Sequence, residues 1–219
     1  MAGLARPAIV LVTSGAATGE REEGWRAAIA SASQAAAAGI DVVQIREPRL
    51  TDRSLGALVR CALRETQGSR TAVVVNDRPD IARCCGAAGV HLRADGMSAA
   101  RVRGLLPGEF LVGRSVHSFA EAGEAAGDGA VDYLLFGTVF ESPSKSSGHV
   151  VQGPAALESI CQRVNIPVIA IGGITVANVR KVAAAGAAGV AAISLFADAE
   201  RTYPGGLSAV VRDLRAAFV

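Results

Sequence analysis

Residues 166–175 read IPVIAIGGIT, and these ten positions decide the fold. The run of β-branched apolar residues at their start is that of a strand buried on both faces. Gly172 and Gly173 follow at once, and Thr175 stands where a helix N-cap belongs, ahead of a helical pattern from Val176 to Ala185. Strand, glycine turn and helix start together make an anion site, because the glycines let backbone N–H groups approach a phosphate and the helix dipole favours negative charge. The theme returns near residue 190, where GVAAISLF reads as a second buried strand that runs into Ser194. In an eight-stranded α/β barrel the loops after strands seven and eight often hold phosphate. A phosphate between Gly172–Gly173 and Ser194 is therefore expected. The plainer alternative is that the glycines only make a tight turn.

Working outward, strand and helix patterns alternate eight times. The expected strands are Ala8–Thr13, Asp41–Arg46, Arg70–Val75, Gly89–Leu92, Phe110–Arg114, Asp132–Gly137 and the two already described. Between them lie helical stretches: Trp25–Ala38 closed by Gly39, one capped by Thr51 and running to Thr66, a short one opened by Pro79, one capped by Ser98, and one from Ser118 to about Gly127. A long Ser-, Gly- and Pro-rich loop spans Thr138–Gly153, Pro154 starts the sixth helix, and a last helix covers about Gly206 to Ala217. A compact (β/α)8 barrel, the TIM-barrel architecture of the α/β class, as one domain over residues 1–219 is the natural closure. An open doubly wound sheet would show a longer glycine fingerprint after the first strand, and the first loop lacks it.

The composition sets limits. The chain has 219 residues, 50% of them apolar, and a net charge of +2. The basic residues are scattered, so there is no nucleic-acid stripe. The N-terminus has no signal-peptide pattern and no apolar run reaches a membrane span, so a cytoplasmic protein is expected. The four cysteines, at 61, 84, 85 and 161, have neither metal nor disulfide-framework spacing and read as small buried hydrophobes.

Chemistry in such a barrel sits where strands end. Polar residues gather there: Gln44, Arg46, Asn76, Asp77, Ser115, His117, Ser142, Ser144 and Lys145. Arg46 suits a carboxylate or phosphate held by two parallel hydrogen bonds, or else an ion pair with Glu47 or Asp77. Lys145 offers either a mobile charge that closes over an anion or a solvated loop lysine. His117 can take and give a proton near neutral pH, or merely bond backbone in its turn. His91 is expected to point outward between strand and helix. Three dispersed histidines argue against zinc. Asp77 and Asp95 could hold Mg²⁺ through water and a pyrophosphate, while Asp77-Arg78-Pro79 also fits a helix-capping turn.

QIRE at 44–47, VNDR at 75–78, GVHL at 89–92, GRSVHS at 113–118, DYLLFGTVFESPSK at 132–145 and IPVIAIGGIT at 166–175 together resemble the thiamine phosphate synthase/TenI superfamily, over about residues 8–198. The resemblance implies a barrel of thiamin biosynthesis that binds a thiazole phosphate at Gly172, Gly173 and Ser194. Synthases of the family join a pyrimidine pyrophosphate to that thiazole with Mg²⁺. Their Q-x-R-E-K motif keeps Gln44 and Arg46 here but meets Pro48 in place of the lysine. Of their two metal-binding aspartates, one matches Asp77. The other, the end of a GQ-[DE]-D stretch, falls on Gly96 of RADG, with Asp95 one residue early. GRSVHS and FGTVFES look like the TenI branch, which aromatises a thiazole carboxylate phosphate without metal.

The expectation is therefore a metal-free thiazole phosphate tautomerase, an isomerase. In it His117, aided by Ser115, moves the proton, Arg46 or Lys145 pairs with the carboxylate, and Gln44, Asn76, Ser142 and Ser144 complete the pocket. The alternatives are a synthase using Mg²⁺ on Asp77 and Asp95, and a non-catalytic binder of a thiazole or thiamin phosphate. The implied partner is a small phosphorylated thiazole, and a homodimer is expected.

Overall fold

The computed structural model describes residues 4–106, 108–142 and 150–219. Eight parallel strands close into a barrel in chain order, the last pairing with the first. They are β1 Ala8–Val12, β2 Val42–Ile45, β3 Ala72–Asn76, β4 Gly89–Leu92, β5 Leu111–Val116, β6 Tyr133–Gly137, β7 Val168–Ile171 and β8 Gly189–Ala192. The (β/α)8 expectation holds.

The side-chain period of two explains why these strands are apolar throughout. In β1, Val10 and Val12 face the barrel interior with Val42, Val74, Tyr133, Leu135, Ile169 and Ala191. Ile9 and Leu11 face the helices with Val43, Ile45, Val73 and Val75. Gly113 is glycine because Tyr133 fills the space its Cβ would need, and that Cβ would also lie 2.6 Å from His91 Nδ1.

The described helices are α1 Arg26–Ala38, α2 Asp52–Glu65, α3 Pro79–Cys85, α4 Ala99–Leu105, α5 Phe119–Gly127, α6 Gly153–Arg163, α7 Val179–Ala184, α8 Ser194–Ala197, α9 Ala199–Thr202 and α10 Gly206–Ala216. Local signals placed most of the ends. Gly39 closes α1 at φ 74°, and the hydroxyls of Thr51, Ser98 and Ser118 accept from Ser54 N, Arg101 N and Glu121 N. Two expectations change. The helix after β7 starts at Val179, not Val176. Thr175 and Asn178 bond reciprocally, Thr175 N to Asn178 Oδ1 (2.8 Å) and Asn178 N to Thr175 Oγ1 (3.2 Å), and this turn uses up the residues expected in the helix. The chain after β8 also makes two short helical turns, α8 and α9, before α10. The cysteines are all free, as expected, but Cys84 is exposed and only Cys61 is buried.

The base of the barrel carries the same clasp twice. Arg215 of α10 donates to Pro7 O, Gly39 O and Asp41 Oδ2, and Ile9 N donates to the same Asp41 oxygen. Arg103 of α4 donates to Phe110 O, Ala130 O and Asp132 Oδ2, and Val112 N donates to that Asp132 oxygen. Each aspartate immediately precedes its strand, and the two clasps sit four strands apart, at β1/β2 and β5/β6. No described helix is long and apolar enough to cross a membrane.

Candidate active site

The mouth of the barrel is built from the other strand ends. At the end of β2, Gln44 points into the lumen, 3% exposed, and its Nε2 donates to Asn76 Oδ1 of β3 at 2.9 Å. Gln44 Oε1 is buried and has no partner among the described residues. Such an atom is costly unless something else supplies a donor. Arg46, next along, is exposed, and its backbone N donates to Thr13 Oγ1. The ion pair weighed for it does not form. Glu47 turns back to accept from Gly15 N and Ala17 N, and Asp77 is engaged by Arg93. Among the described residues the Arg46 guanidinium has no carboxylate partner.

Asp77 has φ 56°, a left-handed conformation rare outside glycine, held by its N–H to His91 O at 2.8 Å. It does not cap α3, whose N-cap is Arg78. Its carboxylate instead accepts from Arg93 N at 3.4 Å and lies 3.7 Å from Arg93 Nε. Asp95 accepts two hydrogen bonds from that guanidinium, from Nε at 2.9 Å and Nη2 at 2.7 Å. These hydrogen bonds hold the Asp95 carboxyl below its ordinary value. A Cβ on Gly96 would fall against Asp77 Oδ1. The donor set therefore does not fit a divalent cation. The Asp95 carboxylate is hydrogen-bonded by the Arg93 guanidinium and Asp77 is ion-paired with it, position 96 has no ligating side chain, and no three His, Cys, Asp or Glu gather among the described residues.

His91 corrects its expected place. It points into the lumen, 2% exposed, stacked on Tyr133 with ring centroids 5.6 Å apart. Its Nε2 lies 2.9 Å from Ser115 Oγ and its Nδ1 3.3 Å from the Tyr133 hydroxyl. Burial depresses its pKa to about 3, which favours the neutral imidazole. Alternation along β4 places it inward beside Asn76 and Gly113, and that parity was the signal available in the sequence.

Ser115 and His117 are not partners. Ser115 belongs to His91, while His117 Nδ1 meets Gly137 O at 2.7 Å and His117 N donates to Glu121 Oε2 at 2.7 Å. His117 thus bonds backbone at the end of β6. Ser142 is half-buried at the edge of the described segment, and Ser144 and Lys145 lie outside the described residues.

Beyond β7, Gly172 and Gly173 have φ 100° and 62°. A Cβ on Gly172 would lie 2.6 Å from Thr138 Cγ2, and one on Gly173 would collide with the backbone of Phe140 and Glu141. The glycines therefore serve a turn and a close backbone approach at once. Asn178 Nδ2 donates to Gly173 O at 2.8 Å and fixes the turn. Ser194, exposed, opens α8 directly after the neighbouring β8. Beside these loops, a cavity of about 210 Å³ lies between β1, α1 and α8, lined by Thr13, Ser14, Ser31, Gln34, Ile193 and Ala197 among others.

Residues 10–196 match the family described as thiamine monophosphate synthase. The thiamine-phosphate synthase of Methanoculleus marisnigri is 43% identical over 182 residues, covering 83% of each chain. A putative thiamine-phosphate synthase of Geobacter sulfurreducens is 41% identical over 177 residues, covering 81% of this chain and 83% of that one. The structure of a thiamine phosphate pyrophosphorylase from Pyrococcus furiosus superposes with a TM-score of 0.78 at 28% identity, covering 96% of this chain and 95% of that one. These relatives overturn the expected tautomerase. They are named as synthases, which are transferases, and none of them as an isomerase of the TenI branch.

Proposed function

This chain belongs to the thiamine monophosphate synthase/TenI family, and within it we propose a thiamine-phosphate synthase, which joins hydroxymethylpyrimidine pyrophosphate to a thiazole phosphate. The observation that carries this reading is the 43% identity to a named synthase over 83% of both chains. The site agrees with it in charge and in unmet bonds.

In this reading the thiazole phosphate lies against the Gly172–Gly173 turn and the Ser194 end of β8, where backbone N–H groups face an anion. The pyrimidine lies over Gln44 and Asn76. Its exocyclic amino group donates to Gln44 Oε1, the buried acceptor that no described residue satisfies. The pyrophosphate meets Arg46, whose planar fork suits phosphate oxygens and has no competing carboxylate among the described residues. The thiazole nitrogen lone pair forms the new N–C bond to the pyrimidine methylene carbon. The C–O bond to pyrophosphate breaks, and its electron pair leaves on that oxygen. The nitrogen gains one positive charge and the pyrophosphate one negative charge, and no proton is transferred. The protein's work is to orient two rings and stabilise a leaving anion. His117, bonded to Gly137 O, then holds the end of β6 rather than shuttling a proton.

Mixing the two precursors and following thiamin phosphate as its fluorescent thiochrome tests the reading. Product with equimolar pyrophosphate is expected. No product, either in EDTA or with any of Mg²⁺, Mn²⁺ and Co²⁺, would refute it.

A further inference from the structure

The tops of β3 and β4 gather carboxylates, and the chain supplies its own cations there. Arg93 spans the two acids, with Nε 3.7 Å from Asp77 Oδ2 and both Nε and Nη2 on Asp95. Arg114 of β5 donates to Ala94 O (2.7 Å) and Met97 O (3.0 Å), which holds the loop carrying Asp95. Two carboxylates thus share the cluster with two arginines, Arg93 bonded to Asp95 and Arg114 bonded to the backbone of the same loop, and their charges balance. A divalent cation needs surplus negative charge and oxygen lone pairs that are not already engaged. Asp77 sits in a left-handed conformation that places its carboxylate against Arg93, and a strained backbone of this kind persists where the surroundings enforce it. Arg46 and Arg93 close β2 and β4, flanking the Asn76–Asp77 end of β3. The span from β2 to β4 is about 10 Å, within reach of two long side chains around one pyrophosphate.

We propose that the Arg93 guanidinium takes the place of the divalent cation at the pyrophosphate half-site, so that turnover needs no added metal. The proposal rests on the synthase reading. In the transfer step the electron pair of the broken C–O bond stays on the pyrophosphate oxygen, and Arg46 and Arg93 meet the added charge. Asp95 takes one N–H each from Nε and Nη2 of Arg93, and the ligand is met by the other N–H groups of the guanidinium, which carries five, so the ion pair stays closed.

The test uses metal-stripped protein, with thiamin phosphate formation measured in EDTA and in Mg²⁺. Binding of inorganic pyrophosphate in EDTA is measured alongside by calorimetry. The wild type is expected to turn over in EDTA at a rate close to that in Mg²⁺. Arg93→Ala should lose about 30-fold in EDTA turnover and in pyrophosphate affinity, the scale of a charge-assisted fork to phosphate. Asp95→Ala frees Arg93 and should tighten pyrophosphate binding about threefold, a gain that misfolding cannot produce. Wild-type turnover that EDTA abolishes and Mg²⁺ restores overturns the inference and leaves the synthase standing. Collapse of the Mg²⁺-supported rate in Asp95→Ala also overturns it, since Asp95 would then be a metal ligand. A wild type that makes no product under any condition refutes the synthase reading, and this proposal with it.

Discussion

The two ends of the barrel use the same residue types in opposite ways. At the base, Asp41 is 7% exposed and its carboxylate is saturated by Ile9 N, Arg70 and Arg215. Asp132 repeats the arrangement with Val112 N and Arg103. At the mouth, Arg46 has no described carboxylate partner, and Gln44 Oε1 is buried without a donor. Polar groups at the base complete one another and hold neighbouring strands in register. Two polar groups at the mouth lack a protein partner of this kind among the described residues: Arg46, which is exposed to water, and Gln44 Oε1, whose burial is costly unless a ligand completes it.

Breaking a base clasp should have the largest effect on stability. Asp41→Ala strands Ile9 N and Arg215 and is expected to cost about 3 kcal/mol, read by urea denaturation, with turnover per folded molecule unchanged. Asp132→Ala should match it if the two clasps are equivalent, and unequal losses would show that they are not. At the mouth, Arg46→Ala is expected to lower kcat/KM for the pyrimidine pyrophosphate about 100-fold, roughly 2.7 kcal/mol, and leave the melting temperature in place. A melted Arg46→Ala with normal kcat/KM would place Arg46 with the base residues instead.

His91 sits between the two ends and sharpens the contrast through pH. The unfolded chain binds a proton on His91 near pH 6.5, whereas the folded chain refuses it until about pH 3. Its contribution is whole above pH 6.5 and declines as pH falls toward 3, by about 1.4 kcal/mol per unit, or roughly 2 kcal/mol between pH 6.5 and 5. His91→Asn should flatten that part of the stability profile relative to wild type. Equal slopes would mean that His91 is protonated in the fold. The smallest effect is expected at His117. Because the proposed transfer step moves no proton, His117→Ala should lower kcat less than about tenfold, with no change in the pH profile. A bell-shaped profile that loses one limb in His117→Ala would restore it as an acid or base.

Much of the mouth was legible in advance. Gln44, Arg46, Asn76, Asp77, Ser115, Gly172, Gly173 and Ser194 all lie at or just beyond strand ends, because strand length and period fix where a strand stops. Their partners were not legible. Ser115 is expected beside His117, since residues two apart share a face of a strand, yet β5 ends at Val116, His117 turns to Gly137 O, and Ser115 meets His91, 24 residues away. The choice of branch failed for a related reason. Gly96 and Pro48 read as lost functions in the sequence, whereas the pairing of Arg93 with Asp77 and Asp95 shows only in the fold. Similarity spread over 83% of the chain outweighed those departures.

Sequence alone determined what depends on neighbours a few residues apart. That covers eight strand–helix repeats, glycine helix stops such as Gly39, hydroxyl caps at Thr51, Ser98 and Ser118, and hence the closed barrel. Only the tertiary structure decided which charges meet. Asp41 and Arg215 stand 174 positions apart, and Arg93 meets Asp77 across 16. The first pair needs the closing helix packed back on the start of the barrel and the second needs β3 paired with β4, and no local period in the chain encodes either.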